Sequence, residues 1–560
     1  MNPFNHNYFL GYVNEVTPQY IKIHIPSSIL LGRFHFEGVN YTGGNVGNYV
    51  VIEGEEYGFL AQIIELKLSD SEKNELTEKA IEHKESDFHP IGKAELLLSF
   101  SVFDPEKVEK TVSKYPSIGA KVYSCSDEQI GIYIKKFGKK DTSNNDNDYA
   151  KLGKLTSNEA ECSVSLNSIF GRHCAVVGTT GGGKSWTVSK LIESIVNKTG
   201  NKVILIDATG EYHTLKSKSF ILGSDSYFPY QNLSLQDLFY LLRPTVQSQR
   251  PILLEAIRSL KIQRINNLNE EAYVKSNKSK EDYNKIYKKN ISKIENNQCD
   301  FNINLLVQQI KEECVYQGAN YGKDMTKWGD YDMKIYDHQT SLINRINNLL
   351  NADIFNKLFG FNNLENFSSI VGEIENFLTL DGDNILRISF ENIPSSFSAK
   401  EIVSNAIGAY LLNKARNKEF ITKPIVLVID EAHQFLNNTV KDEFFEIQPL
   451  ESFDLIAKEC RKYGLFLCLA TQMPRDIPIG TLSQMGTFIV HRLINDKDKQ
   501  SIENAASSAN KSALSFLPIL GEGEALLIGV DFPMPLLLKI DTPSSPPQSD
   551  TPRLKTKIQQ

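Results

Sequence analysis

The chain has 560 residues, 41% of them hydrophobic and 23% charged, with a formal net charge of −7. That length is more than one compact core supports, so two or three domains are expected. The acidity is shared, with 15 Lys and Arg against 19 Asp and Glu in residues 1–140 and 46 against 49 in the rest, which excludes a global electrostatic pull on nucleic acid and requires any such surface to be local.

At the N-terminus, MNPFNHNYFLGYVNEV has no basic patch followed by an apolar stretch, and so does not read as a signal peptide. Residues 1–140 are β-rich. The runs YIKIHI (20–25), NYVVIEGEEYGFLAQIIEL (48–66), AELLLSFSVF (94–103) and QIGIYI (129–134) are predicted strands, with EGEE as a hairpin connection, and together they suggest a small barrel. The stretch KKFGKKDTSNNDNDYAKLGK (135–154) is polar and has no apolar period, which places a linker at about 141–160.

From 161 to about 520 the texture is α/β. HCAVVG, SWTVSKLIESIVNK and NKVILID form the strand–helix–strand pattern of a largely parallel sheet. A helical insertion at about 232–380 interrupts it. Within the insertion, SNKSKEDYNKIYKKNISK (276–293) reads either as a solvated helix face or as a patch contacting DNA. Sheet text resumes with NILRISF (384–390), PIVLVID (424–430), GLFLCLATQ (464–472) and TFIVHRL (487–493). The longest apolar runs fall far short of the roughly 20 residues that span a bilayer, so a cytoplasmic protein without a membrane partner is expected. Cysteines 125, 162, 174, 299, 314, 460 and 468 stand singly, which predicts reduced thiols and no zinc site. The last twenty residues, DTPSSPPQSDTPRLKTKIQQ, are too rich in Pro and Ser for a core and predict disorder.

Gly178-Thr179-Thr180-Gly181-Gly182-Gly183-Lys184-Ser185, followed by Trp186, fits G-x-x-x-x-G-K-[ST] after an apolar strand and before an amphipathic helix. Successive N–H groups can there surround a phosphate, and the helix N-terminus adds favourable partial charge. Lys184 would neutralise the β and γ phosphates of ATP, and the Ser185 hydroxyl would be a ligand to Mg²⁺. The strand PIVLVI delivers Asp430 as a second Mg²⁺ ligand and Glu431 as general base for an attacking water. Gln472, at the end of another strand, could sense the γ-phosphate or simply terminate the strand. Asp207 and Glu211 follow the strand after the glycine-loop helix, with capping or packing as open to them as chemistry. For His433 a structural role is favoured. Arg461 and Arg492 are candidates for a transition-state finger, possible also as surface charges.

As an ordered set, RHCAVVGTTGGGKSWT (172–187), ILIDATGEY (204–212), ISFENIPSSFSAKEIVSNAIGAYLL (388–412), VLVIDEAHQFL (426–436) and the run from 456 to 498 resemble the HerA branch of the HerA/FtsK P-loop ATPases. LGEGEALLIGVDFPMPLLLKI (520–540) is similar to the family's C-terminal segment that braces a neighbour, and 521–560 is read as that brace with its tail. The resemblance implies a RecA-like ATPase fold preceded by a HAS-like β-barrel. It further implies a homo-hexameric ring hydrolysing ATP on double-stranded DNA. The expected partner is a separate effector, either a nuclease or a sirtuin-like NADase, in end processing or anti-phage defence. An alternative is an ATP-gated scaffold that restrains a toxic effector. Lys184, Ser185, Asp430, Glu431 and Gln472 carry over onto the nucleotide site, with Arg461 as first choice for the trans finger.

Overall fold

The computed structural model describes residues 3–36, 39–70, 72–73, 88–104, 108–109, 114–136, 149–156, 160–362, 364–394, 398–436, 450–506 and 511–548. The chain divides into two compact units. The first is Met1–Asn201 with Phe466–Arg475 and Ile479–Gln560, and the second is Lys202–Leu465 with Asp476–Pro478.

The first unit opens with a closed six-stranded barrel. Around it run Tyr20–His24, Phe9–Val16, Lys121–Ser124, Tyr49–Ile52, Tyr57–Lys67 and Ile91–Ser101, and the last pairs back onto the first. All neighbours are antiparallel. Alternation drives closure: Leu10, Val13, Ile21, Ile23, Val50, Ile52, Phe59, Ala61, Ile63, Ala94 and Val122 share one core. The EGEE connection does join a hairpin, since Ile52 pairs with Phe59. QIGIYI, however, is not a strand but part of the helix Asp127–Lys136. Its buried residues are Gln129, Ile130, Tyr133 and Ile134, a spacing of i, i+1, i+4 and i+5 that is helical. The Ser126 hydroxyl accepts from the Gln129 N–H at 3.3 Å, and Gln129 Nε2 donates to the Tyr133 hydroxyl at 3.0 Å. The barrel position expected for that run is filled by Lys121–Ser124.

The rest of the first unit is a mixed sheet in the order Glu161–Ser165, Tyr149–Leu155, Phe532–Ile540, Glu524–Gly529, Thr487–Val490, Cys174–Val177, Leu465–Thr471. Cys174–Val177 is parallel to both of its neighbours, and the other pairings are antiparallel. Two expectations change here. Residues 149–155, placed in a linker from their polar text, form a strand that pairs on both sides and alternates, with Ala150, Leu152 and Leu155 buried. The tail is ordered as far as 548. The N–H groups of Ser544 and Ser545 donate to the Glu193 carboxylate at 2.9 and 2.7 Å, and the Ser189 hydroxyl donates to the Ser545 carbonyl. A Pro- and Ser-rich segment needs no core of its own when a helix carboxylate satisfies its backbone; residues 549–560 of the expected disorder lie outside the described residues. Barrel and sheet share this unit, for the Tyr49 hydroxyl donates to the Pro535 carbonyl at 3.2 Å.

The second unit has four parallel strands ordered Ile425–Ile429, Lys202–Asp207, Ile385–Ser389, Lys218–Ile221. The first and third are buried along their whole length, as parallel strands covered on both faces must be. Between Lys218–Ile221 and Ile385–Ser389 the chain is mainly helical, with Leu235–Leu242, Gln249–Ile265, Glu281–Lys289, Leu306–Glu313 and Met333–Asn351 the main members. The lysine-rich stretch forms Glu281–Lys289. It is anchored by buried Tyr283, whose ring lies 5.4 Å from that of Trp328, while Lys285, Lys288 and Lys289 are exposed. Adjacent Lys275 is buried, paired with Glu313 and 4.6 Å from the Tyr283 ring centre. All seven cysteines are buried free thiols, and among the described residues no helix is long and apolar enough to cross a membrane.

Candidate active site

The glycine loop leaves the strand Cys174–Val177 and enters the helix Lys184–Thr199. Gly181 (φ 76°) and Gly183 (φ 103°) are in the left-handed region, where a side chain would be strained. Gly183 caps the helix. Gly178 is glycine for a different reason, because a Cβ there would lie 2.5 Å from the His491 Cβ. The loop is tied down from below. Gly178 N–H donates to the Thr471 carbonyl, Thr179 N–H to the Arg492 carbonyl at 3.0 Å, and Gly182 N–H to the Thr179 carbonyl. Thr180 Oγ1 donates to the Gln472 side-chain carbonyl at 2.6 Å, so Gln472 does meet the loop, from the end of the parallel strand Leu465–Thr471.

Lys184, the first helical residue, is 6% exposed, while Trp186, two residues on, is 40% exposed. A helix N-terminus presents N–H groups with no acceptor inside the helix, and with a buried ammonium beside it the charge balance suits an anion. The left-handed glycines bring the backbone close enough to hold one. By these observations the loop fits a nucleotide triphosphate. The Ser185 hydroxyl, a hard oxygen donor, fits Mg²⁺.

In the second unit Asp430 follows the strand Ile425–Ile429, is 1% exposed, and takes its backbone place through an N–H donated to the Ile206 carbonyl at 3.0 Å. Glu431 has φ 45° and ψ 46°, a left-handed conformation in a residue with a side chain. Such backbone strain costs of order 1 kcal/mol and concentrates at functional sites. The turn Ala432–Gln434 starts from it, and His433 Nδ1 lies 3.3 Å from the Glu431 carboxylate.

Asp207 has a different occupation. It is fully buried and accepts from the N–H groups of Thr209, Gly210 and Tyr212 and from Arg387 Nε at 2.7 Å. Arg387, itself 3% exposed, also donates to the Ser219 hydroxyl. That arrangement clamps the turn after Lys202–Asp207; of the alternatives open in the sequence, the packing role is the one these contacts describe. Glu211 is half-buried in the same turn.

The arginine candidates separate. Arg492 is exposed, and its carbonyl accepts from both the N–H and the hydroxyl of Thr179 in the loop. Arg461 is exposed on the short turn Cys460–Tyr463 of the second unit. The loop with Gln472 and Arg492 thus belongs to one unit, and Asp430, Glu431, His433 and Arg461 belong to the other.

Sequence reasoning passed over His491, although it adjoins Arg492 in TFIVHRL. It is fully buried, its Nδ1 lies 2.8 Å from the Glu524 carbonyl, and its Nε2 lies 2.8 Å from the Thr187 hydroxyl. Burial pushes its pKa down to about 4, the Lys184 charge adding to the effect and the carbonyls of Glu524 and Gly182 opposing it. The signal available was a polar residue ending an apolar strand, too common to single out.

The family model described as "Helicase HerA, central domain" matches residues 150–358. A probable helicase of Methanocaldococcus jannaschii is 25% identical over 509 residues, covering 89% of this chain and 86% of that protein. The DNA double-strand break repair helicases HerA of Sulfurisphaera tokodaii and Sulfolobus acidocaldarius are each 25% identical, over 405 and 444 residues. They cover 70% and 76% of this chain, and 69% and 74% of their own lengths. Among solved structures, VirB4 of Thermoanaerobacter pseudethanolicus is similar with a TM-score of 0.46 at 14% identity, over 71% of this chain and 97% of that one. The plasmid coupling protein TrwB in complex with ADP and Mg²⁺ gives 0.42 at 12%, over 71% and 91%.

Proposed function

The chain is a HerA-family P-loop ATPase, and from that premise we propose that it assembles as a homo-hexameric ring that spends ATP on movement along double-stranded DNA. In this reading the ring works in the cytoplasm with a separate effector protein, a nuclease or a sirtuin-like NADase, in anti-phage defence or DNA end processing.

The roles follow from chemistry. Gly178 to Gly183 form the cradle around the phosphates, with Thr179 and Thr180 as the loop's own braces and Trp186 flanking. Lys184 neutralises the β and γ phosphates. Glu431 takes the proton of the attacking water, and Gln472, hydrogen-bonded to Thr180, reports on the γ-phosphate. Ser185 and Asp430 are the groups proposed to hold Mg²⁺, which when bound would supply positive charge to offset that of the phosphates. Arg461, exposed on its short turn, is proposed to act on a neighbouring protomer's nucleotide.

What supports the reading above all is the loop itself: left-handed Gly181 and Gly183, with Lys184 buried at the first position of a sixteen-residue helix. The strained Glu431 beside buried Asp430 adds the acidic half of the chemistry. The test is ATP turnover with and without linear duplex DNA, in the parent and in Glu431→Gln. The expected result is stimulation by duplex in the parent and a loss of at least about a hundredfold in the variant, with ATP still bound. Equal turnover with and without DNA, together with a second protein co-purifying at fixed stoichiometry, would replace translocation by the ATP-gated scaffold.

A further inference from the structure

His491 stands at the end of the strand Thr487–Val490, and its N–H donates to the Val177 carbonyl at 2.7 Å, where the glycine loop begins. The loop lies against its ring. A Cβ at Gly178 would meet the His491 Cβ at 2.5 Å, one at Gly182 would meet it at 3.4 Å, and one at Gly183 would meet Cε1 at 3.4 Å. On the other side, Gly523 N–H donates to the Gly182 carbonyl at 3.3 Å, and a Cβ at Gly183 would lie 3.0 Å from the Gly523 Cα. The glycine loop is therefore pressed between one imidazole and one turn.

The orientation of that imidazole is fixed from both ends. The Glu524 carbonyl only accepts, so Nδ1 carries the proton facing it. The ring is neutral at ordinary pH, held so by burial. Nε2 is consequently bare and accepts from the Thr187 hydroxyl. Thr187 belongs to the first turn of the loop helix, its N–H donating to the Gly183 carbonyl at 3.0 Å. One side chain thus joins the helix that receives the phosphates, the glycines that surround them and the Glu524–Gly529 strand.

We propose that His491 is a positioning residue for the nucleotide: through Thr187 and Glu524 it holds the glycine loop in its phosphate-binding shape before ATP arrives. Four glycines in the six residues 178–183 are conformationally loose, and a loose loop binds with an affinity reduced by the fraction of time it spends competent. The lock raises that fraction. Its effect falls on binding in the ground and transition states alike, so it governs KM and leaves kcat nearly unchanged. The inference rests on the reading of Gly178–Ser185 as the ATP cradle.

The experiment measures dissociation constants for ADP and a non-hydrolysable ATP analogue, with KM and kcat for ATP, in full-length Thr187→Val, Thr187→Ser and His491→Asn. Valine keeps the shape of threonine and deletes the hydroxyl. Serine keeps the hydroxyl. Asparagine retains a donor for Glu524 and loses the acceptor for Thr187. The expected result is roughly tenfold weaker nucleotide and higher KM in Thr187→Val and His491→Asn, the scale of one unsatisfied buried hydrogen bond, with kcat within about twofold. Thr187→Ser returns to within about twofold of the parent. Parent-like binding by Thr187→Val, or a serine variant as weak as the valine one, overturns the proposal. If His491→Asn does not fold, the Thr187 pair decides alone. Lys184→Ala in the same assay separates the two failures: if it abolishes nucleotide binding while Thr187→Val is silent, only the His491 lock is wrong, and if it too is silent, the cradle reading is wrong.

Discussion

Replacing Asp207 with Asn asks whether that carboxylate holds the fold or takes part in chemistry. In the structure its two oxygens accept four hydrogen bonds: from Thr209 N–H at 3.3 Å, Gly210 N–H at 2.8 Å, Tyr212 N–H at 3.2 Å and Arg387 Nε at 2.7 Å. Every partner is a donor. An asparagine amide has an oxygen for some of them and turns its own NH₂ toward the rest, so at least one donor faces another donor. Arg387 keeps its charge with 3% of its surface exposed. Removing one partner of a buried ion pair costs about 3–5 kcal/mol, mostly because the other charge is left uncompensated. For a unit of this size each kcal/mol moves the midpoint by roughly 2–4 °C, so melting should fall by about 10 °C. The assay is thermal unfolding followed by circular dichroism, with ATP turnover measured at 20 °C where the variant is still folded. Turnover there should stay near that of the parent. Adding Arg387→Met should restore part of the loss by removing the stranded charge. A variant that melts normally yet has lost turnover would refute the reasoning and make Asp207 a chemical participant.

Two further outcomes are expected. The folded-state pKa of His491, about 4, lies below the roughly 6.5 of an unfolded histidine; a buried neutral histidine stabilises fully above pH 6.5 and progressively less as pH falls toward 4. Between pH 7 and pH 5 the parent should therefore lose about 2 kcal/mol that His491→Asn does not lose, checked by denaturant melts at both pH values; parallel curves would show that the ring is not buried neutral. Glu193→Ala removes the acceptor for the Ser544 and Ser545 N–H groups, so limited proteolysis should cut within 541–548 faster than in the parent, with melting shifted by no more than about 1 kcal/mol; equal cutting rates would mean that Glu193 does not hold the tail.

How far the sequence carries depends on how far apart the deciding partners lie. The glycine loop was legible because its requirements are local: a left-handed Gly183 followed at once by the helix that Lys184 begins is written in consecutive residues. The barrel was legible where alternation sets the face, as in Tyr57–Lys67, and misread at QIGIYI, where six residues satisfy both periods and the deciding cap is Ser126, upstream of the run. Polar text misled at Tyr149–Leu155 for a related reason, since its partners Glu161–Ser165 and Phe532–Ile540 include one almost four hundred residues away. Asp207 stayed ambiguous until Arg387, 180 residues on, supplied its counter-charge. Gly178 joins the two cases. Its place in the motif is readable from eight residues, but the reason no larger residue fits is the Cβ of His491. The motif records what the phosphates demand of the backbone, and the restraint that keeps the backbone ready comes from a side chain three hundred residues later, which no local pattern encodes.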